Sequence, residues 1–285
     1  MLTRGDFLSN LANNHHFHSR DNDFFVDLES KIATEISSLH SEDSGDHIAI
    51  GELGTLIFPY FKMGSIDSSK LFGLDELILF SYYFVNRNRY KRTLDLGANI
   101  GLHTLVMKKL GFCVTSYEPD LTHLSQIKLV MKLYNLTDQG LMPRAISDRN
   151  GEMEYLRVLG NTTGSHLLGS KENVHGPTEI VTVEVDDIFG VLANGNFDFV
   201  KMDVEGHEAV LLNRITPELI SKTDIMLEIG SSRNAELIFE SLSLKKIPSY
   251  AQKINWKQTK KLEDFPSHHR HGSLFLSMQG APNWS

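Results

Sequence analysis

The sequence predicts an α/β fold: a doubly wound, mostly parallel sheet of seven strands, with a small N-terminal α+β extension. Three observations carry that expectation. Short apolar runs alternate with amphipathic stretches from Thr93 to Ser277, the pattern of a parallel sheet covered on both faces by helices. The run Thr93-Leu-Asp-Leu96 leads into Gly97-Ala-Asn-Ile-Gly101, and Phe197-Asp-Phe-Val-Lys-Met202 leads into Asp203-Val-Glu-Gly206, so two strands end in glycine turns. At 285 residues the chain is long enough for one such domain plus an extension.

Residues 1–45 are rich in Asn, His, Ser and Asp, with one helix expected from Asp27 to Leu39. Ile48 to Met63 reads as two short strands around Glu52-Leu53-Gly54, so residues 1–70 are assigned to a cap and residues 71–285 to the main domain. Gly73 to Asn86 is an amphipathic helix, because Leu74, Leu77, Ile78 and Phe84 recur at helical spacing. Strand 93–96, helix 101–110, strand 113–118, helix 121–134, strand 142–146 and a hairpin arm around Gly151 follow. A polar loop from Gly160 to Pro177 precedes strand 179–185, helix 186–193, strand 197–203, helix 207–213, strand 224–229, helix 234–243 and a last strand 273–277.

With 28 basic against 36 acidic residues the net charge is −8, which argues against nucleic acid or an anionic membrane as the main partner. Lys253, Lys257, Lys260 and Lys261 read as a solvated face. Cys113, the one cysteine, cannot form an internal disulfide and reads as a buried small hydrophobe. No apolar run approaches the roughly 20 residues of a bilayer span. Residues 1–30 are polar and acid-containing rather than signal-like, so a cytoplasmic location is expected. The sequence leaves a homo-oligomer open.

The first glycine turn carries chemistry. Gly97 permits a sharp turn, Asn99 tolerates an unusual dihedral, and Gly101 lets the helix start pack closely. Glu118 follows about twenty residues later, the usual interval for an acid that reaches ribose hydroxyls. A dinucleotide site uses G-x-G-x-x-G to bring amides to a pyrophosphate. Here the spacing is Gly97-x-x-x-Gly101, and Asp95 stands two residues before the first glycine. A carboxylate there suits a cationic ligand. S-adenosylmethionine has a sulfonium, an ammonium and an adenosine without phosphate, so Asp95 can serve its methionine end and Glu118 its ribose. An ordinary βα turn of another doubly wound protein is the alternative.

The segment Phe197 to Glu208 delivers Asp203 at a strand end, where ligands of open α/β sheets sit. Asp203, Glu205 and His207 crowd that rim, and Glu228 ends the next strand. Asp203 follows Phe199, Val200 and Met202, an apolar setting that is costly for a carboxylate unless it is paired or used. Glu208 reads as a solvated first-turn acid, and Glu205 as a partner of Lys201 or of the turn. His207 reads either as a base or as a capping or core histidine.

Six ordered strings resemble the FkbM-type methyltransferases: Leu94-Asp-Leu-Gly-Ala-Asn-Ile-Gly101, Tyr117-Glu-Pro-Asp120, Ala145-Ile-Ser-Asp-Arg-Asn-Gly151, Val185-Asp-Asp-Ile188, Val200-Lys-Met-Asp-Val-Glu-Gly206 and Met226-Leu-Glu-Ile229. The resemblance covers residues 71–229. It implies a class I, Rossmann-like fold that uses S-adenosylmethionine, usually on hydroxyl groups of sugars, lipids or secondary metabolites. Carried onto this chain, Asp95, Gly97, Ala98, Asn99 and Gly101 would hold the methionine part. Glu118 and Pro119 would lie at the ribose, and Ala145, Ile146, Ser147 and Asp148 at the adenine. Asp203 adjoins the same cofactor. His103 either faces the cofactor or lies on the helix surface. Asn161, Thr162, Thr163 and Ser165 either close over the cofactor or form a surface turn.

Methyl transfer from a sulfonium is an in-line displacement that needs alignment and exclusion of water. For a hydroxyl acceptor on a small molecule or saccharide, His207 or Asp203 is the expected base, with Glu228 or Glu205 orienting. A second reading has Asp203 and Glu228 bind Mg²⁺. A zinc protease is excluded, since Leu211 stands where His207-Glu208 would need a second histidine. The clusters His15-His16-Phe-His18 and His268-His269-Arg-His271 read as solvated tails, the second possessing an alternative place at the acceptor pocket. Two other classes stay open: a non-catalytic cofactor-binding module, and an NAD(P)-dependent oxidoreductase. Against the latter, Tyr83 is followed by Arg87, not by the lysine of a Tyr-x-x-x-Lys pair.

Overall fold

A computed structural model describes residues 1–43, 45–171 and 176–285. Residues 172–175 of the expected 160–177 loop, and Ser44 of the extension, lie outside the described residues.

The extension contributes α1 (Phe7–Asn13), α2 (Asp23–Leu39) and the hairpin β1 (His47–Ile50) and β2 (Gly54–Ile57). Next come α3 (Leu74–Val85), β3 (Arg92–Leu96), α4 (Leu102–Lys109), β4 (Cys113–Tyr117), α5 (Leu121–Leu133) and β5 (Leu141–Met142). They are followed by β6 (Ala145–Ser147), β7 (Gly151–Val158), β8 (His166–Leu167), β9 (Thr178–Asp187), α6 (Ile188–Gly195) and β10 (Phe199–Met202). The chain closes with α7 (Glu208–Arg214), β11 (Asp224–Glu228), α8 (Ser232–Lys245), β12 (Ser249–Ala251), β13 (Lys257–Gln258) and β14 (Ser273–Leu276).

The central sheet runs β13-β12-β14-β11-β10-β3-β4-β5, with β14 antiparallel to both neighbours. From β3 the chain steps outward through β4 to β5, and it returns to place β10 on the other side of β3. That reversal opens a crevice at the carboxyl ends of β3 and β10, the ligand position of doubly wound sheets. Gly97 and Asp203 are the residues immediately after those two strands.

The α/β architecture is the one expected, with differences in which strands form the sheet. The expected strand 142–146 is two strands, and only β5 joins the central sheet. β6 and β9 belong to a separate sheet of order β6-β9-β7-β8. The reason is visible in β9: Thr182 and Glu184 are exposed while Val181 and Val183 are half-buried and Val185 is buried, the alternation of a one-faced strand rather than the continuous apolar run of a central one. The short strands β12 and β13 complete the central sheet instead.

One core face packs α3, α4 and α5 together with Leu8, Phe25, Ile48 and Leu56 of the extension, while the other packs α6, α7 and α8. α3 is buried almost all round, including Leu77, Ile78, Phe80, Tyr82 and Tyr83, because the extension covers the side a surface helix would give to water. Asp120 caps α5 by accepting from Thr122 N at 2.7 Å, a bond worth about 1 kcal/mol. Cys113 is exposed, not buried, since it opens β4 at the sheet's rim. His18 is also not a solvated tail residue: it is buried, with Nε2 3.0 Å from Leu11 O and Nδ1 accepting from Trp256 Nε1 at 2.9 Å. Among the described residues no helix is long and apolar enough to cross a membrane.

Candidate active site

A cavity lies in the crevice, at the strand ends where doubly wound sheets hold small molecules. Its floor is the β3 turn. Gly97 has φ +75°, and a β-carbon there would collide with the carbonyl oxygen of Asp203, so only glycine lets the two strand ends abut. Asn99 has φ +52°; its amide donates to Glu118 Oε2 at 2.8 Å, and its side-chain oxygen is buried without a protein partner. Glu118 also accepts from Asp120 N at 2.9 Å and stands 3.6 Å from His123 Nδ1. Burial disfavours the charged form of His123, but the hydrogen bond and charge of Glu118, with Asp120, outweigh it and raise its pKa.

Of the residues named from the sequence, Gly97, Asn99, Glu118, Pro119, Ala145, Ile146, Thr162, Thr163, Ser165, Asp203, Glu205 and His207 line this cavity. Asp95, Ala98, Gly101, His103 and Ser147 do not. Asp95 is fully buried beneath the turn, accepts from Thr104 Oγ1 at 2.6 Å and lies 3.8 Å from Lys201 Nζ. His103 is held by Glu76 Oε2 at 2.7 Å and by Tyr83 OH at 2.9 Å. Ser147 bonds His207 Nε2 at 3.0 Å.

The roof comes from the β7–β8 connection. Thr162, Thr163 and Ser165 line the cavity, and the extension holds them there. Thr162 N donates to Met63 O at 3.1 Å, Ser65 N donates to Gly160 O at 2.7 Å, and Thr162 Oγ1 lies 2.9 Å from His123 Nε2. Sequence reasoning did not reach the walls made by Tyr155, His166 and Leu167, because the arm folds over the crevice only in three dimensions.

A second, smaller cavity adjoins the first and is lined by Glu76, Leu79, Lys201, Met226, Glu228 and Ser273, among others. Asp203 is the residue that lines both. Lys201 Nζ donates to Gly97 O at 3.3 Å and to Asp203 Oδ2 at 3.5 Å. Burial works against its charge, yet Asp203, Asp95 and Glu76 outweigh that and raise its pKa, so Lys201 is a fixed cation. Burial, reinforced by Asp203 and Glu76, pushes the Glu228 carboxyl well above its ordinary range. Glu205 pairs with Lys171, not with Lys201.

His207 is an N-terminal flank of α7 with both ring nitrogens engaged, Nε2 by Ser147 and Nδ1 by Ser170 Oγ at 2.9 Å. Burial lowers its pKa to about 4. Glu208 is buried, not solvated as its helix position suggested. It accepts from Val204 N at 3.1 Å, Gly206 N at 3.2 Å and Asn234 Nδ2. The carboxylate thus holds the turn that presents Asp203 and Glu205, and burial raises its pKa. The histidines 268–271 line neither cavity. Among the described residues no His, Cys, Asp and Glu group has an arrangement that could hold a metal ion, so the Mg²⁺ reading has no support.

Residues 95–245 match the methyltransferase FkbM domain. Among solved structures, the METTL16 methyltransferase domain is 12% identical, with 96% of this chain and 92% of that chain covered and a TM-score of 0.42. A SAM-dependent methyltransferase from Agrobacterium tumefaciens is 11% identical, with 83% and 71% covered and a TM-score of 0.40. The ribosomal protein L11 methylase from Lactobacillus delbrueckii subsp. bulgaricus is 11% identical, with 69% and 75% covered and a TM-score of 0.34. No curated protein matches the chain.

Proposed function

Since the chain belongs to the methyltransferase FkbM domain family, we propose that it moves a methyl group from S-adenosylmethionine to a hydroxyl of a small molecule or saccharide. The observation that carries this reading is the position of Asp203, which lines both the large and the small cavity. The larger cavity is the cofactor's. Glu118 has lone pairs left for ribose hydroxyls after accepting from two backbone amides. The buried, partnerless oxygen of Asn99 asks for a donor that the protein does not supply. Ala145 and Ile146 give an apolar wall for adenine. When bound, the cofactor supplies an electrophilic methyl on a positively charged sulfur.

The smaller cavity, with room for a single small polar group, receives the acceptor's hydroxyl. Asp203 is the base in this reading, because His207 has both nitrogens occupied and holds a proton weakly. A carboxylate is a weak base for an alcohol, so it takes the proton as the new bond forms. Lys201 donates to Asp203 and fixes its direction. Glu228, whose carboxyl burial keeps protonated, donates to the acceptor and orients it, while the released proton stays on Asp203 until it passes to solvent. The roof anchored by residues 63–65 excludes water.

The test is transfer of an isotopically labelled methyl group to a panel of hydroxylated sugars and metabolites, followed by Asp203→Asn on any acceptor found. Asp203→Asn should lower kcat about a hundred-fold, the scale of a lost general base, while S-adenosylhomocysteine affinity changes only a few-fold. Turnover within a few-fold of wild type removes Asp203 from the chemistry.

A further inference from the structure

β8 is only two residues long, and its His166 pairs with Leu156 of β7 over the larger cavity. His166 is 2% exposed. Its Nδ1 lies 2.8 Å from Gly164 O. A carbonyl oxygen can only accept, so Nδ1 carries the hydrogen and Nε2 of the neutral ring is a bare acceptor. Burial, with the charge of Lys171 against it, lowers the pKa and keeps the ring neutral. Nε2 is buried and has no partner in the protein. An acceptor fixed in one tautomer, walled from water and left unpaired calls for a donor from outside the chain.

The neighbours narrow the choice. Tyr155, Leu167 and Ile146 line the same cavity and suit a flat, apolar ring. The unpaired Asn99 oxygen and Glu118 serve the cavity's floor, whereas His166 belongs to the arm above it. We propose that His166 Nε2 accepts a hydrogen bond from an amino or hydroxyl group of the adenosine part of the bound cofactor. The arm is thereby a reading element for the nucleoside and not merely a cover. This inference rests on the cofactor reading above.

Calorimetric titration tests it with S-adenosylhomocysteine, S-inosylhomocysteine, which lacks the amino donor, and the 2′,3′-dideoxy analogue, which lacks both ribose hydroxyls. The proteins are wild type, His166→Phe, which keeps ring volume without the acceptor, and His166→Gln, which returns an acceptor near the Nε2 position. His166→Phe should weaken S-adenosylhomocysteine about ten-fold, the scale of one lost buried hydrogen bond, and His166→Gln should recover most of that. One analogue should bind wild type and His166→Phe equally, and its identity names the donor. Should His166→Phe not fold, His166→Leu carries the same comparison. Wild-type affinity in His166→Phe, or equal weakening of all three ligands, overturns the inference. No binding of any ligand to wild type overturns the cofactor reading itself.

Discussion

The carbonyl oxygen of Asp203 occupies the space that a β-carbon on Gly97 would need. The end of β10 is therefore seated on the turn after β3, and the position of the Asp203 carboxylate depends on a residue over a hundred positions earlier. With φ +75° at Gly97 as well, Gly97→Ala meets both backbone strain and a clash. It should cost about 2–4 kcal/mol and remove measurable S-adenosylhomocysteine binding. Thermal unfolding with calorimetry checks both; a variant of wild-type affinity would show that the crevice tolerates separation of these strand ends.

Glu208 and Asn234 form a matched pair: the carboxylate accepts from two turn amides and from the Asn234 amide, while Asn234 Oδ1 accepts from Ala209 N at 3.2 Å. In Glu208→Gln two amide groups compete for donor and acceptor places. We expect a loss of about 2 kcal/mol and faster hydrogen exchange at Val204 and Gly206. Adding Asn234→Asp restores donor facing acceptor and should return most of the stability. A double variant no better than Glu208→Gln would mean that the pairing is incidental.

Lys201 faces Asp95, which is fully buried. Lys201→Met leaves that carboxylate without its cation and should destabilise the fold by about 3–5 kcal/mol. Asp95→Asn in the same chain should recover more than half of the loss. Denaturant midpoints of the two single variants and the double variant decide the matter, and simple additivity would argue against direct coupling.

Acid should weaken the fold through two histidines. His207 is lowered to about 4 and His18 to about 3 from 6.5, both by burial. The folded values are depressed, so this stability is present above pH 6.5 and is lost as pH falls toward 4 and 3. Each histidine accounts for about 2 kcal/mol of loss by pH 5. Chemical denaturation at pH 7 and pH 5 should show the loss, and His207→Gln should flatten its slope. An unchanged slope would mean that His207 binds its proton equally well in the folded and unfolded chain.

Much of the crevice was legible in the chain because its parts are local. The turn at Gly97 and the interval to Glu118 follow from strand, turn and helix succession, and twelve of the residues named from the sequence line the larger cavity. The residues that sequence reasoning missed come from tertiary contact. His166 and Tyr155 reach the crevice on an arm that crosses it, Glu76 comes from α3 before the first strand of the sheet, and Glu208 is buried by Asn234 of α8. α1 was overlooked because Asn10, Asn13 and Asn14 obscure the periodicity of Phe7, Leu8, Leu11 and Ala12. The alternation within β9 was visible, and it distinguishes a one-faced arm from a central strand.

The central claim is a pocket that takes an adenosine carrying a sulfur-linked amino acid. Titration of purified protein with S-adenosylhomocysteine, alongside NAD⁺ and NADP⁺, tests it most directly. Micromolar binding of S-adenosylhomocysteine and none of the dinucleotides is the predicted result; binding of a dinucleotide in its place would contradict both the cofactor and the reaction.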